Sequence, residues 1–193
     1  MDATTLLGHL QAAVPGASFD IVPSVDCPTL RLPREHIVGV CRALRDTPEL
    51  SFAVLVDLTA VDYYPRDPRF EVVYQLLRVG DFPRAGLTPA RVRLKVPVPA
   101  GDVHVPTVSG VYRNANWAER EVFDLFGVVF DGHPDLRRIL TPDEWEGHPL
   151  RKDYPVQVQV PVRVQERLQL SEEEFVANIE RQRVATGAAK KPN

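Results

Sequence analysis

"LSFAVLVDLTAVDYYPRDPRFEVVYQLLRV" runs from Leu50 to Val79 and decides the fold class. Both halves are rich in β-branched and aromatic residues, which suit a pleated, half-buried surface. Between them, Tyr64-Pro65-Arg66-Asp67-Pro68 is a turn cluster, because each proline fixes its own φ and removes a ladder donor. The stretch predicts a β-hairpin. A third strand follows in "ARVRLKVPV" at 90–98, where Val92, Leu94 and Val96 alternate with Arg91, Arg93 and Lys95. That alternation gives one apolar and one charged face, and Pro97 and Pro99 end the strand.

Upstream of the hairpin, Leu6, Leu7 and Leu10 share one side of a short helix at 4–13, which Pro15-Gly16 stops. "SFDIVP" and "TLRLP" predict two short strands. Pro33 suits a first helical position, and Ile37, Val40, Cys41 and Leu44 recur at helical spacing until "DTPE" breaks the pattern. Helix, two strands, helix and three strands predict an α+β fold over residues 1–100. It is a two-layer domain with a mixed or antiparallel sheet and its helices on one face.

Beyond residue 100 prolines punctuate the chain, and a largely irregular segment is expected over 101–155, packed on the core. Two short helices are predicted in it, near 106–113 and at 117–126. For the second, Asn116 is the cap, Glu119 its capping-box partner and Gly127 the left-handed residue past the end. Irregular backbone needs hydrogen-bond partners, which a long segment finds on a neighbouring surface or in a functional role. Residues 156–193 predict an extended arm. There "VQVQVPVRV" at 156–164 alternates like an edge or added strand, Ser171 and Glu174 open a short charged helix, and "TGAAKKPN" is expected to be disordered.

Composition narrows the function. Hydrophobic residues make up 44% and charged residues 25%, as in an ordinary globular protein, and a net charge of -3 gives no general attraction for nucleic acid. No apolar run approaches the roughly 20 residues that span a bilayer, so membrane contact is expected only through another protein. An acid at Asp2 and no basic n-region argue against a secretory signal, and a cytoplasmic location is expected. Cys27 and Cys41 are too few for an iron–sulfur or structural zinc site. Neither Gly-x-Gly-x-x-Gly nor a Gly-Lys-Ser/Thr loop occurs, so neither a dinucleotide nor a nucleoside triphosphate is indicated.

Chemistry concentrates in "EREVFDLFGVVFDGHPDLRRIL" at 119–140 and "GHPLRKDYP" at 147–155. Glu119, Glu121 and Asp124 could supply an acid/base pair and Arg120 could hold an anion, but no nucleophile or phosphate loop accompanies them. Arg120 and Asp124, four apart, are expected to pair with each other. His133 and His148 with Asp131, Asp135 and Asp143 could surround a metal. Each histidine, however, is wedged between Gly and Pro in a turn, which favours bonding to backbone or partner carbonyls. Arg137, Arg138, Arg151 and Lys152 could meet an anionic ligand, a partner's carboxylates or only water. Trp117, Phe123, Phe126, Phe130, Trp145 and Tyr154 lie in the same segment, and Trp and Tyr beside Arg are common interface anchors. A docking surface is left by elimination.

Residues 119–155 resemble the signature region of the C subunit of bacterial respiratory complex I, the thirty-kilodalton subunit of its mitochondrial counterpart. Glu119-Arg120-Glu121, Asp124-Leu125-Phe126 and the two Gly-His-Pro runs carry the resemblance, "FAVLVDLTAVDYY" with "RFEVVYQLLRV" resembles the family's central hairpin, and together they cover about 1–156. The resemblance implies a non-catalytic structural subunit in the hydrophilic arm of a proton-translocating NADH:quinone oxidoreductase. It implies no cofactor in this chain, with FMN and Fe-S clusters in partner subunits. The implied partners are the quinone-site (49 kDa-type) subunit and the terminal Fe-S cluster subunit, at the cytoplasmic side of the inner membrane. The interface residues expected are Glu119, Arg120, Glu121, Asp124, His133, Asp135, Arg137, Arg138, Trp145, His148, Arg151, Lys152 and Tyr154. On that expectation Arg138→Glu lowers assembly and leaves the folding of the isolated chain nearly unchanged. The equivalent subunit of a related membrane-bound hydrogenase, and a free-standing adaptor, are the alternatives.

Overall fold

A computed structural model describes residues 3–80, 88–155 and 171–185. The hairpin forms as expected. Strand β3 (Val54–Asp62) pairs antiparallel with β4 (Phe70–Arg78), with Asp62 opposite Phe70 and a register shift between Leu55 and Asp57. Strand β5 (Ala90–Val98) pairs antiparallel with β4, placing Leu94 opposite Tyr74. The two short upstream strands are β1 (Asp20–Val22) and β2 (Thr29–Arg31), and β2 lies parallel to β5. The sheet is therefore mixed, in the order β1-β2-β5-β4-β3.

Helix α1 (Ala3–Ala13) buries Leu6 and Leu10, and α2 (Ile37–Asp46) buries Ile37, Val40, Cys41 and Leu44. Pro33 precedes a 3₁₀ turn at Arg34–His36 rather than α2 itself. These side chains join Leu58, Phe70, Tyr74, Leu94 and Val96 in one apolar cluster, so the helices cover one face of the sheet. Each fully buried aliphatic side chain contributes about 1.5–3 kcal/mol, which makes this layer the main driving force of the fold. The opposite face is polar, where the Glu71 carboxylate accepts from Arg31 (2.9 Å), Lys95 (2.8 Å) and Tyr63 (3.2 Å).

Two expectations for the segment after the sheet are corrected. No helix forms over 106–113. Strand β6 (His104–Pro106) instead pairs parallel with β7 (Val129–Asp131), and the chain then turns through Thr107–Asn114. In that turn Val108 N donates to Glu119 and Ser109 N donates to the Thr107 hydroxyl. Helix α3 (Ala115–Phe126) starts two residues before the expected position, with Asn114 at its N-cap and no side-chain capping bond. Asn116 and Glu119 thus form no capping box. Asn114 Nδ2 instead donates to Leu55 O at 2.5 Å, joining α3 to β3.

Gly127 ends α3 with φ 74°, in the left-handed region that favours glycine. A Cβ there would overlap the Arg151 guanidinium and the His148 ring. Gly127→Ala is therefore expected to cost about 2 kcal/mol or more from strain and overlap together, read as a lower midpoint in urea unfolding.

The compact unit that holds all of these elements runs from Met1 to Tyr154, and residues from Pro155 form a second one. In the second, α4 (Glu172–Ala185) opens as expected: Glu174 N donates to Ser171 Oγ (3.2 Å) and Ser171 N to Glu174 Oε2 (3.0 Å). The strand expected at 156–164 and the tail at 186–193 lie outside the described residues.

Candidate docking site

The last four carbonyls of an α-helix have no donor inside the helix. In α3 the second Gly-His-Pro run meets three of them. Phe123 O accepts from Gly127 N (2.9 Å), Asp124 O from His148 Nδ1 (2.9 Å), Leu125 O from Leu150 N (3.0 Å) and Phe126 O from Arg151 Nε (2.5 Å). Burial lowers the His148 pKa, so the ring is held neutral and gives its Nδ1 proton to the helix. Arg151 adds a positive charge at the negative end of the helix dipole. Residues 147–151 are thus the C-terminal cap of α3.

Asp124 organises the loop between the two Gly-His-Pro runs. Its side chain is 0% exposed, and Oδ2 accepts from the backbone N–H groups of Ile139 (3.0 Å), Leu140 (2.7 Å) and Thr141 (2.9 Å). Oδ1 accepts from Arg138 Nη1 (2.8 Å) and from the Thr141 hydroxyl. Burial pushes this carboxyl up, but the Thr141 hydroxyl and the three N–H donors outweigh it and hold the pKa well below the usual carboxylate range. Arg138 continues the network, donating from Nη2 to Trp145 O (2.9 Å) and Gly147 O (3.0 Å).

Arg120 and Asp124 do not pair, against the expectation from their spacing. Arg120 donates to the carbonyls of Arg137 (3.1 Å) and Arg138 (3.2 Å) and stacks on Trp117, 5.1 Å from the ring centroid. Each charged group has found a partner 14–18 residues away rather than one turn away.

The first Gly-His-Pro run bonds the first turn of α3 through a carbonyl that already has its place in the helix. His133 Nε2 donates to Asn116 O (3.0 Å), and its Nδ1 accepts from Asp135 N (3.0 Å), which fixes the tautomer. Asp131 pairs with His104 (2.9 Å) and Asp135 with Arg137 (3.0 Å). Among the described residues no group of three or more His, Cys, Asp or Glu side chains is placed to hold a metal ion.

The end of the segment ties to the hairpin turn. Arg69 donates to both oxygens of Asp62 (3.0 and 2.9 Å) and both of Asp153 (2.9 and 2.6 Å), between the rings of Tyr64 and Phe70. Lys152 N also donates to Asp62 (2.9 Å), Arg151 lies over Phe70, and Tyr154 OH donates to Glu146 O (3.2 Å). Burial raises the Asp62 pKa, but Arg69 and the N–H groups of Lys152 and Tyr64 bring it down to about 2. Sequence reasoning missed this junction. Its signal was an acid at the end of one predicted strand and an arginine at the start of the next, on either side of the turn.

Several residues expected at an interface are therefore committed inside the chain. Glu119 and Asp124 are fully buried and Arg120 is buried, so their side chains have little or no surface to offer a partner. Arg138 spends its donors on Asp124, Thr141 and the carbonyls of Trp145 and Gly147, and His148 and Arg151 spend theirs on backbone carbonyls. Glu121, Asp135, Arg137 and Lys152 are exposed, while His133, Trp145 and Tyr154 are partly buried. Around them stand Trp117 at 63% exposure, Leu140 at 62% and Leu150 at 51%, of which Leu140 and Leu150 were not singled out from sequence.

A family model described as "Respiratory-chain NADH dehydrogenase, 30 Kd subunit" matches residues 30–160, a span that contains the sheet from β2 onward and the whole clasp around α3. The chain belongs to that family. The NADH-quinone oxidoreductase C subunit of Roseiflexus sp. (strain RS-1) is 45% identical over 156 residues, covering 81% of this chain and 86% of the relative. Its counterpart in Geobacter sulfurreducens, of the same name, is 49% identical over 130 residues, covering 67% and 75%. Among solved structures, a trypsin-resistant fragment of Nqo5 has a TM-score of 0.53 at 32% identity, covering 69% of this chain and 98% of the fragment. A chain of an archaeal membrane-bound sulfane sulfur reductase shares the fold, with a TM-score of 0.64 at 24% identity over 88% of this chain and 96% of that one. In this member of the 30 kDa family, the signature residues build a closed loop on α3 and hold apolar side chains at its surface.

Proposed function

We propose that the chain is a structural, non-catalytic subunit of a proton-translocating NADH:quinone oxidoreductase. It docks through the outer surface of α3 and the loop at 133–150 to the subunit that forms the quinone site, next to the subunit with the terminal Fe-S cluster. FMN and the Fe-S clusters belong to other subunits, and the complex holds this chain at the cytoplasmic side of the inner membrane. Among the described residues no helix is long and apolar enough to cross a membrane. One observation carries the reading: the carboxylates and guanidiniums that resemble an active site bond to their own chain, while Trp117, Leu140 and Leu150 face outward. Large apolar side chains set on a rigid, hydrogen-bonded loop suit a fixed protein partner.

Gentle detergent extraction of membranes holding a tagged chain, followed by a native gel, mass spectrometry and an NADH:quinone assay, tests the proposal. Co-migration with flavin and iron–sulfur subunits, with NADH oxidation, is the expected result. Co-migration with a hydrogenase set would replace the electron donor and keep the docking role. A lone monomer, under conditions that preserve the membrane complex, would refute it. Within the complex, Trp117→Ala is expected to weaken docking by about 30-fold, the effect of losing a contact worth about 2 kcal/mol. The melting temperature of the isolated chain should change little, because this ring is mostly in water.

A further inference from the structure

Glu119 stands apart from the clasp. Its side chain is 0% exposed, and among the described residues its near ionisable neighbour is His133, whose Nε2 lies 3.8 Å away and is aimed at Asn116 O. Oε1 accepts from Val108 N at 2.7 Å, and Oε2 accepts from the Thr107 hydroxyl. Thr107 Oγ1 is in turn 2.8 Å from Ser109 Oγ and accepts from Ser109 N at 3.1 Å. A chain of carboxyl, hydroxyl and hydroxyl thus runs from the fully buried Glu119 to Ser109, which is partly exposed.

The other groups that feel this carboxylate are Cys41 on α2 and Tyr74 on β4. Both are fully buried; burial raises their pKa values first, and the charge of Glu119 raises them further. Among the described residues the Tyr74 hydroxyl has no hydrogen-bond partner. Neither neighbour offers a positive charge to an ionised Glu119.

We propose that Glu119 is a proton-binding site that exchanges with solvent through the Thr107 and Ser109 hydroxyls. In the ionised state Ser109 O–H donates to Thr107 Oγ1, and Thr107 O–H donates to Glu119 Oε2. A proton arriving at Ser109 Oγ displaces the Ser109 proton to Thr107, and the Thr107 proton passes to Oε2. Glu119 O–H then donates to Thr107, Thr107 O–H donates to Ser109, and Ser109 keeps one proton toward solvent. One proton enters, the site goes from -1 to neutral, and no hydrogen bond is lost. Thr107 Oγ1 accepts twice in either state, within its two lone pairs. Burial favours the neutral form, since among the described residues no Lys or Arg pairs with the carboxylate and His133 directs its Nε2 proton to Asn116 O, while the Thr107 hydroxyl and Val108 N–H keep the ionised form accessible. The balance pushes the pKa up to about 7.

Infrared titration of the full chain between about pH 5 and 9 tests this. Wild type should lose a protonated-carboxyl C=O band with a midpoint near pH 7, and Glu119→Gln, which keeps the size and an acceptor, should lack that band. Thr107→Val removes a donor to the ionised form and should raise the midpoint by about one pH unit. A wild-type midpoint below about pH 5.5, against an ordinary value of about 4.3, would overturn the proposal. So would a band that persists in Glu119→Gln or a midpoint that Thr107→Val leaves in place. Should either variant not fold, carboxyl carbon shifts of labelled glutamate in the wild type report the same midpoint.

Discussion

Replacing Asp124 with alanine should cost about 4 kcal/mol of stability, measured as the loss of unfolding free energy of the full chain in urea. The substitution strips Arg138 of its counter-charge and leaves the N–H groups of Ile139, Leu140 and Thr141 without their acceptor. Single domains are stable by roughly 5–15 kcal/mol, so the loss would be a large share of the total. The effect should depend on pH in a defined direction. Because the Asp124 pKa is depressed in the folded chain, its contribution is complete above the unfolded value of about 4 and disappears as the pH falls through the folded value. Wild type and variant should therefore converge in strong acid. An unchanged urea midpoint at neutral pH would show that the loop does not depend on this carboxylate.

Arg138→Glu should be at least as damaging, with an expected loss of about 4 kcal/mol or more in the isolated chain. From sequence, Arg138 is one of a basic group that could meet an anionic ligand, a partner's carboxylates or only water, and on the docking expectation the effect is on assembly alone. The structure gives the side chain a task inside the chain. The guanidinium bonds Asp124, Thr141 and the carbonyls of Trp145 and Gly147, and a glutamate would set a second carboxylate against Asp124 and leave those carbonyls without donors. Reduced assembly would follow from a loosened loop rather than from a lost intermolecular pair. Thermal unfolding of the purified variant separates the two accounts: an isolated chain that melts like wild type would restore the interface role. The Asp124 and Arg138 losses should not add, because both variants break one network.

Local patterns made much of the fold legible. The hairpin, β5, α1, α2 and the end of α3 at Gly127 follow from period-2 and period-3.6 alternation and from turn residues, all of which act within a few positions. Strands β6 and β7 are three residues long, too short for alternation to register, and their parallel pairing joins distant segments. The site shows the same division. The Gly-His-Pro turns were legible as turns whose histidines bond to carbonyls, but not which carbonyls. The rule that residues four apart pair on a helix put Arg120 with Asp124, whereas a carboxylate that can take three N–H groups and a guanidinium from a folded-back loop does better than one exposed ion pair. Glu119 was misplaced for a related reason: a glutamate three residues after an asparagine fits a capping box, but its carboxylate bonds the turn before α3 instead.

Amide hydrogen exchange on the isolated full-length chain tests most directly whether the signature segment closes on itself. The amides of Ile139, Leu140, Thr141 and Leu150 should be protected without any partner, because Asp124 and the Leu125 carbonyl hold them. Exchange at those positions as fast as in an unfolded chain would mean that the loop takes its shape from the complex, and that the clasp around α3 is not a property of this chain.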